Sequence, residues 1–455
     1  MRHGALHCKP RFAAADFLTE AAGRGLFCTA CGGFPAMPII ASNPRNPHSP
    51  VVFALFLGVT CLIASEFIPI SLLTPMAASL GLSVGTAGQT VTAVGAAAAL
   101  ASLFVGALFP HADRRRLFLG YTLLLVLSNA LIALSQSAPL LFAARALLGF
   151  AVGGFWSMSS AAAQRTVHPL KLPAAFALIY SGVSIATILA LPGASWVESE
   201  FGWRAVFWAA AAASAAAFVW QLLTFPSMPA VQAAGLRTMG RLLRRGAVLS
   251  GLAATLTTYF GCHVVFTYLR AILEKSLAPS ANAMSLILLV YALVNIAGTF
   301  AAARFFRRDL GRAFTVLYIS GALAAGALYL CRGGEAILAP ALIWGFLFGF
   351  VPVGWALWLV RALPKESEAA GGLTVAVTQL AIGLAASVGG RLMDAFGPEP
   401  LFFAAMAGEL ATLAAARRTM KCLTADEARE AASKPAEHSG SSPAPEQRTA
   451  FAAER

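Results

Sequence analysis

Charge is what this chain has least of. Of its 455 residues only 12% are Asp, Glu, Lys or Arg, whereas 58% are apolar, and the mean hydropathy is +0.73. So little charge excludes an ordinary soluble enzyme, whose surface needs far more. Carboxylates are the scarcer sign, and the balance is +13. Nucleic-acid binders gather such charge on one polar face; here it comes in short bursts between apolar runs, and no nucleic-acid partner is expected. The seven cysteines, at 8, 28, 31, 61, 262, 331 and 422, are too scattered for a disulfide framework. Cys28-Thr29-Ala30-Cys31 lacks the second spaced pair of a metal site, so no metal is expected. His-Glu-x-x-His does not occur. A polytopic membrane enzyme stays only as a remote alternative, because such enzymes gather several carboxylates or histidines. Well inside the first eleven apolar windows there is one carboxylate, Glu66. No cofactor is expected.

What the chain does have is apolar length. Windows of about 20 apolar residues, the span of a bilayer helix, recur twelve times between 51 and 416. The fold expected is an all-α polytopic membrane protein with twelve transmembrane helices in two pseudo-symmetric six-helix bundles. The bundles cover 51–225 and 247–416, joined by a linker over 226–246. Tails of 1–50 and 417–455 flank them, the second rich in Ala, Glu, Ser and Pro from about 424 and expected to be disordered. The first lacks the apolar stretch of a secretory signal, and Met37 offers an alternative start.

Positive loops stay in the cytoplasm. Every second loop carries such residues, fifteen in all: Arg114, Arg115, Arg116, Arg165, Lys171, Arg237, Arg241, Arg244, Arg245, Arg304, Arg307, Arg308, Arg312, Arg361 and Lys365. The alternate loops hold five: Arg204, Arg270, Lys275, Arg332 and Arg391. Both termini are therefore expected inside.

Ionisable groups in a bilayer core are costly, about 2.5–3.5 kcal/mol on insertion scales, and mark functional sites. Glu66 lies roughly 22 Å into the first window and Arg145 roughly 9 Å into the fourth from the opposite side, by the rise of a helix. The two share a depth and are the expected proton-coupling pair; a permanent structural ion pair or a snorkelling arginine is the plainer reading. Pro69, three residues after Glu66, removes a helical hydrogen bond there. Asn295 and Gln379 lie near mid-depth and offer both donors and acceptors to a ligand, or hold neighbouring helices together. Phe155 is an aromatic candidate for the same pocket, whereas Trp156, Trp355 and Trp358 are expected as interfacial anchors. His263 is expected to be packed and neutral. Small residues at four-residue spacing, Gly149, Gly153, Ser157 and Ala161 after Arg145, predict close helix packing.

Several of these stretches resemble a known family. The basic loop after the second window, Arg145 with Gly149, and Pro192-Gly193 followed by Gly202-Trp203-Arg204 are similar to the drug:proton antiporters of the major facilitator superfamily. Ser65-Glu66-Phe67-Ile68-Pro69, Ala87-Gly88-Gln89-Thr90-Val91-Thr92, Gly153-Gly154-Phe155-Trp156-Ser157-Met158-Ser159 and Pro352-Val353-Gly354-Trp355 resemble its purine ribonucleoside efflux branch. The resemblance runs from about 50 to 416 and implies proton-driven export by alternating access. The cargo it implies is a purine ribonucleoside, with a sugar or a drug as the alternative. It gives Asp113, Arg114, Arg115, Pro192 and Gly193 a gating role, and implies a monomer in lipid at the bacterial inner membrane. The pattern is broken at Pro110, where an Asp is usual, and at Cys262-His263.

Overall fold

A computed structural model describes residues 50–109, 111–168, 172–229, 236–306, 309–362 and 367–433. Among them twelve helices are long and apolar enough to cross a membrane. The first six are α1 Pro50–Leu80, α2 Val84–Leu108, α3 Arg114–Leu134, α4 Ala138–Thr166, α5 and α6 Trp203–Thr224. Helix α5 is composite, with Leu172–Ile188, a π-helical segment Leu189–Gly193 and Ala194–Phe201. The second six are α7 (Gly246–Phe266 and, after a break, Leu269–Leu277), α8 Ala281–Phe305, α9 Leu310–Leu330, α10 Leu338–Ala362, α11 Ser367–Phe396 and α12 Glu399–Ser433. The last helix continues seventeen residues beyond the expected end at 416. Its polar extension is an ordinary helix former, rich in Ala, Arg and Glu. The Cys28–Cys31 pair, most of both tails and residues 230–235 of the linker lie outside the described residues; the linker's Leu236–Leu243 is a short helix.

Helix starts follow from the local sequence. Ser83, Asp113, Ser280 and Asp309 each accept a hydrogen bond from a backbone N–H of the first turn, satisfying donors that a helix leaves free. Gly202, at φ +79°, makes the sharp turn between α5 and α6 that a residue with a Cβ resists.

Within the first half α2 and α3 both pack on α4, and α1 on α5 and α6; within the second, α7 and α9 pack on α12 and α8 on α10. The small residues do the work expected of them. A methyl group on Gly153 would lie 2.1 Å from the carbonyl oxygen of Ala98, so α4 and α2 touch backbone to backbone. Between the halves the main contact is α2 along α11.

The twelve helices define two ends of the molecule. The start of α1, the end of α12 and the described residues of the basic loops belong to one, called here the basic end; the turns joining α1 to α2, α5 to α6, α7 to α8 and α11 to α12 belong to the other, the distal end.

Trp355 and Trp358 are not interfacial anchors. Both are buried in the second half beside Phe314 and Phe306, and Trp355 Nε1 donates to the Tyr318 hydroxyl at 2.9 Å. Trp358 Nε1 has no hydrogen-bond partner, but its ring packs against Trp355 in the same aromatic cluster, and depth along a helix does not reveal such core packing.

Candidate functional site

The site begins with two prolines. Pro69 and Pro75 lie inside α1, and each lacks the N–H that would bond the carbonyl four residues earlier. Those carbonyls are Ser65 and Ser71, and each is taken by an arginine. Arg145 Nη1 donates to Ser65 O at 2.8 Å, and Arg270 Nη1 donates to Ser71 O. A break in one helix thereby anchors two cations at different depths.

Arg145 is completely buried, and its Nη2 also reaches the main-chain carbonyl of Glu66 at 3.3 Å. It addresses the backbone of α1 rather than the Glu66 carboxylate, so the direct pairing expected from their shared depth is not formed here. The carboxylate, 6% exposed, looks the other way. Its Oε1 accepts from Gln379 Nε2 of α11 at 3.1 Å, a hydrogen bond between the two halves of the molecule. Two polar atoms next to it stay unsatisfied, Arg145 Nε and Gln379 Oε1. Phe67, beside Glu66, packs edge-on against Phe266 of α7 at 5.5 Å.

The other candidates part company. Asn295 Nδ2 donates to Gly345 O of α10 at 2.9 Å, holding α8 to α10 inside the second half. Phe155 is buried in the first half, edge-on to Phe118 at 5.0 Å and against Gly58. Neither stands with Gln379. His263 is buried, its Nδ1 2.9 Å from Tyr259 O and its ring edge-on to Phe348.

Toward the distal end lie contacts the sequence did not announce. Arg270 meets Glu274 at 2.7 Å on α7 and Glu198 at 3.2 Å on α5. Thr74 of α1 donates to Glu274 Oε2 at 2.6 Å. Asp394 of α11 accepts from Ser83 Oγ at 2.6 Å and from Gly85 N–H at 2.9 Å, across the start of α2. Gln89 and Thr92 donate to the carbonyls of Ser387 and Gly383. These side-chain hydrogen bonds between the halves run from the Glu66–Gln379 level to this end. The distal end is closed.

The expected gating residues at the basic end form a different tie. Asp113 caps α3 and accepts from Arg115 N–H, from Ser227 Oγ at 2.6 Å and from Met228 N–H at 2.9 Å. Arg114 N–H donates to Met228 O, and Arg115 Nη2 to Leu222 O at 2.8 Å. The loop after α2 is thus bound to the chain leaving α6, within one half. Burial works against the Asp113 charge, yet the Ser227, Met228 and Arg115 bonds outweigh it and hold the carboxyl below its ordinary value. A depressed value means that its stabilisation is complete above the ordinary carboxylate range and is lost as pH falls through the folded value. Asp113→Ala should therefore cost about 0.5–2 kcal/mol, the usual range for a lost cap, seen as a lower melting temperature in detergent that converges with wild type in acid. Equal melting of the two at neutral pH would contradict this. Pro192 and Gly193 sit in the π-helical segment, where Ser71 Oγ donates to Ala190 O at 2.7 Å.

Comparison with known proteins accords with this architecture. The chain is 38% identical over 365 residues to the purine ribonucleoside efflux pump NepI of Shigella sonnei, covering 79% of this chain and 91% of that one. It is 36% identical over 358 residues to NepI of Salmonella paratyphi C, covering 78% and 90%. Two solved structures share the fold: a D-xylose–proton symporter, with a TM-score of 0.67, 14% identity and coverage of 82% and 97%, and the nucleoside transporter NupG, with 0.66, 13%, and 83% and 100%. The family model described as Major Facilitator Superfamily matches residues 55–374. The chain belongs to the major facilitator superfamily, and is a multi-pass membrane transporter of a small molecule.

Proposed function

We propose that this transporter exports purine ribonucleosides such as inosine and guanosine from the cytoplasm across the bacterial inner membrane, in exchange for protons. The cargo follows the printed names of relatives at 36–38% identity. The fifteen-to-five bias of basic residues supports a cytoplasmic basic end with both termini on that side.

The observation that carries the mechanism is the Glu66–Gln379 bond. A protonated carboxyl and an amide can pair through two hydrogen bonds, and Gln379 Oε1, now without a donor, is available for the Glu66 hydroxyl. Protonation of Glu66 therefore fastens α11 to α1. Loss of the proton removes the donor and leaves an anion, for which Arg145 Nε, buried and unsatisfied, is the nearby counter-charge. The proton thus decides whether Glu66 is held across the halves or within one.

Gln379 is then released. A nucleoside needs such an amide for its base or sugar hydroxyls, and only the deprotonated state offers one. Proton and nucleoside compete for a single side chain, which makes their binding mutually exclusive, the thermodynamic requirement of exchange. Wild-type vesicles should show counterflow of inosine and guanosine with inward proton movement, and none of a pentose or a cationic drug. Gln379→Ala should weaken inosine affinity roughly 5- to 150-fold, the equivalent of about 1–3 kcal/mol for a lost buried partner. Counterflow of a pentose or cation without inosine would reject the cargo.

A further inference from the structure

The second half holds a buried carboxyl that the scheme above leaves unused. Glu409 of α12 is 3% exposed. Its hydrogen-bond partner is the thiol of Cys262 on α7, 3.5 Å from Oε1, a weak donor. A cavity beside the pair is lined by Gly321 of α9 and by Trp344 and Phe348 of α10, with room for about one water. Trp344 is buried, yet its Nε1 has no acceptor.

Among the described residues no cation offsets the carboxyl. The titratable groups around it are Cys262 on α7 and Tyr318 on α9, with Tyr259 and Tyr291 near the thiol. His263 follows Cys262 in sequence but turns its ring to Tyr259, Phe266 and Phe348. An ionised carboxylate in such a place costs several kcal/mol. A protonated one needs an acceptor for its hydroxyl and a donor for its carbonyl. One water supplies both and can also accept from Trp344 Nε1.

The placement mirrors the first half. Glu66 is 66 − 50 = 16 residues past the start of α1, and Cys262 is 262 − 246 = 16 past the start of α7. Arg145 lies 145 − 138 = 7 residues into α4, and Trp344 lies 344 − 338 = 6 into α10. At the depth of Glu66 the second half has a thiol hydrogen-bonded to a carboxyl borrowed from α12, with a neutral indole where the first half has a guanidinium.

We propose that Glu409, with a water held between its carboxyl and Trp344 Nε1, is a second proton-binding site, giving one to each half of the transporter. Calcium or magnesium would require about six oxygen ligands and zinc about four of N, S or O; the pair supplies two, and among the described residues no group of three or more His, Cys, Asp or Glu could hold a metal, so the ligand is a proton. A role in export rests on the proton-coupled reading above, whereas proton binding does not. Two inward charges across 100 mV would sustain a gradient on the order of 10³ rather than about 40-fold.

Infrared difference spectra of the full chain in lipid vesicles, between acidic and alkaline buffer and with no substrate, read the carbonyl stretch of protonated carboxyls. Wild type should show two titrating buried bands, one missing in Glu66→Gln and the other in Glu409→Gln. Cys262→Ser, with a stronger hydroxyl donor, should keep both bands and move only that of Glu409. A Glu409→Gln spectrum identical to wild type overturns the site; so does an unmoved band in Cys262→Ser should the first variant fail to fold. If wild-type export ignores a proton gradient, the coupled reading falls, and the two bands still decide the site.

Discussion

Proteoliposomes carrying Glu66→Gln should fail to export inosine uphill, while exchange of labelled for unlabelled inosine, weakened because Gln379 must first leave the new amide, stays measurable and loses its dependence on pH. One proton crossing 100 mV contributes about 2.3 kcal/mol, enough for a gradient of roughly 40-fold with a neutral cargo. The variant should bring that ratio to about one. The reason is local: a glutamine keeps the size and the two hydrogen bonds of the protonated acid toward Gln379, but has no proton to release and never becomes the anion that Arg145 would take. The half-to-half bond then breaks only at a fixed cost, independent of the proton gradient. Proton-driven export at the wild-type level would show that the carboxyl is structural.

Depth could be read from the sequence; direction could not. Helical rise places Glu66, Arg145, Asn295 and Gln379 along the bilayer normal from residue counts alone. Which way each side chain turns depends on how its helix is rotated against neighbours far away in the chain. Asn295 and Gln379 are the same kind of candidate, yet one is used up on Gly345 O within its own half and the other crosses to Glu66. Phe155 was misleading for the same reason, since its side of α4 faces Phe118 and not the other half.

Arg270 was legible in principle. Counted by charge alone, it is an edge residue of a loop. The signal that marks it is Pro75, whose missing N–H leaves the Ser71 carbonyl wanting a donor, as Pro69 does for Ser65. Glu409 was passed over because the twelfth window is the least apolar of the twelve, where a carboxylate attracts no notice.

Removing Arg270 should open the distal end. The guanidinium holds α1, α5 and α7 together through Ser71 O, Glu198 and Glu274, and Arg270→Ala leaves two carboxylates facing each other without their cation. Breaking a fully buried pair costs about 3–5 kcal/mol. Here the side chains are 10% to 28% exposed, so solvent screening reduces the loss to about 1–3 kcal/mol, a shift of roughly 5- to 150-fold toward the distally open state. A cysteine in place of Ala87, buried at the closed end among residues of both halves, reports the change in a background without the seven native cysteines. Its labelling by a membrane-impermeant thiol reagent should accelerate by that factor, and an unchanged rate would mean that Arg270 does not hold the end shut. Part of the loss belongs to the Ser71 carbonyl rather than to the carboxylates. Combining Arg270→Ala with Pro75→Ala restores an N–H to that carbonyl and should slow labelling partway toward wild type, by the share of the hydrogen bond and not of the ion pairs. Full recovery would assign the latch to the proline break alone, and no recovery would assign it to the charges.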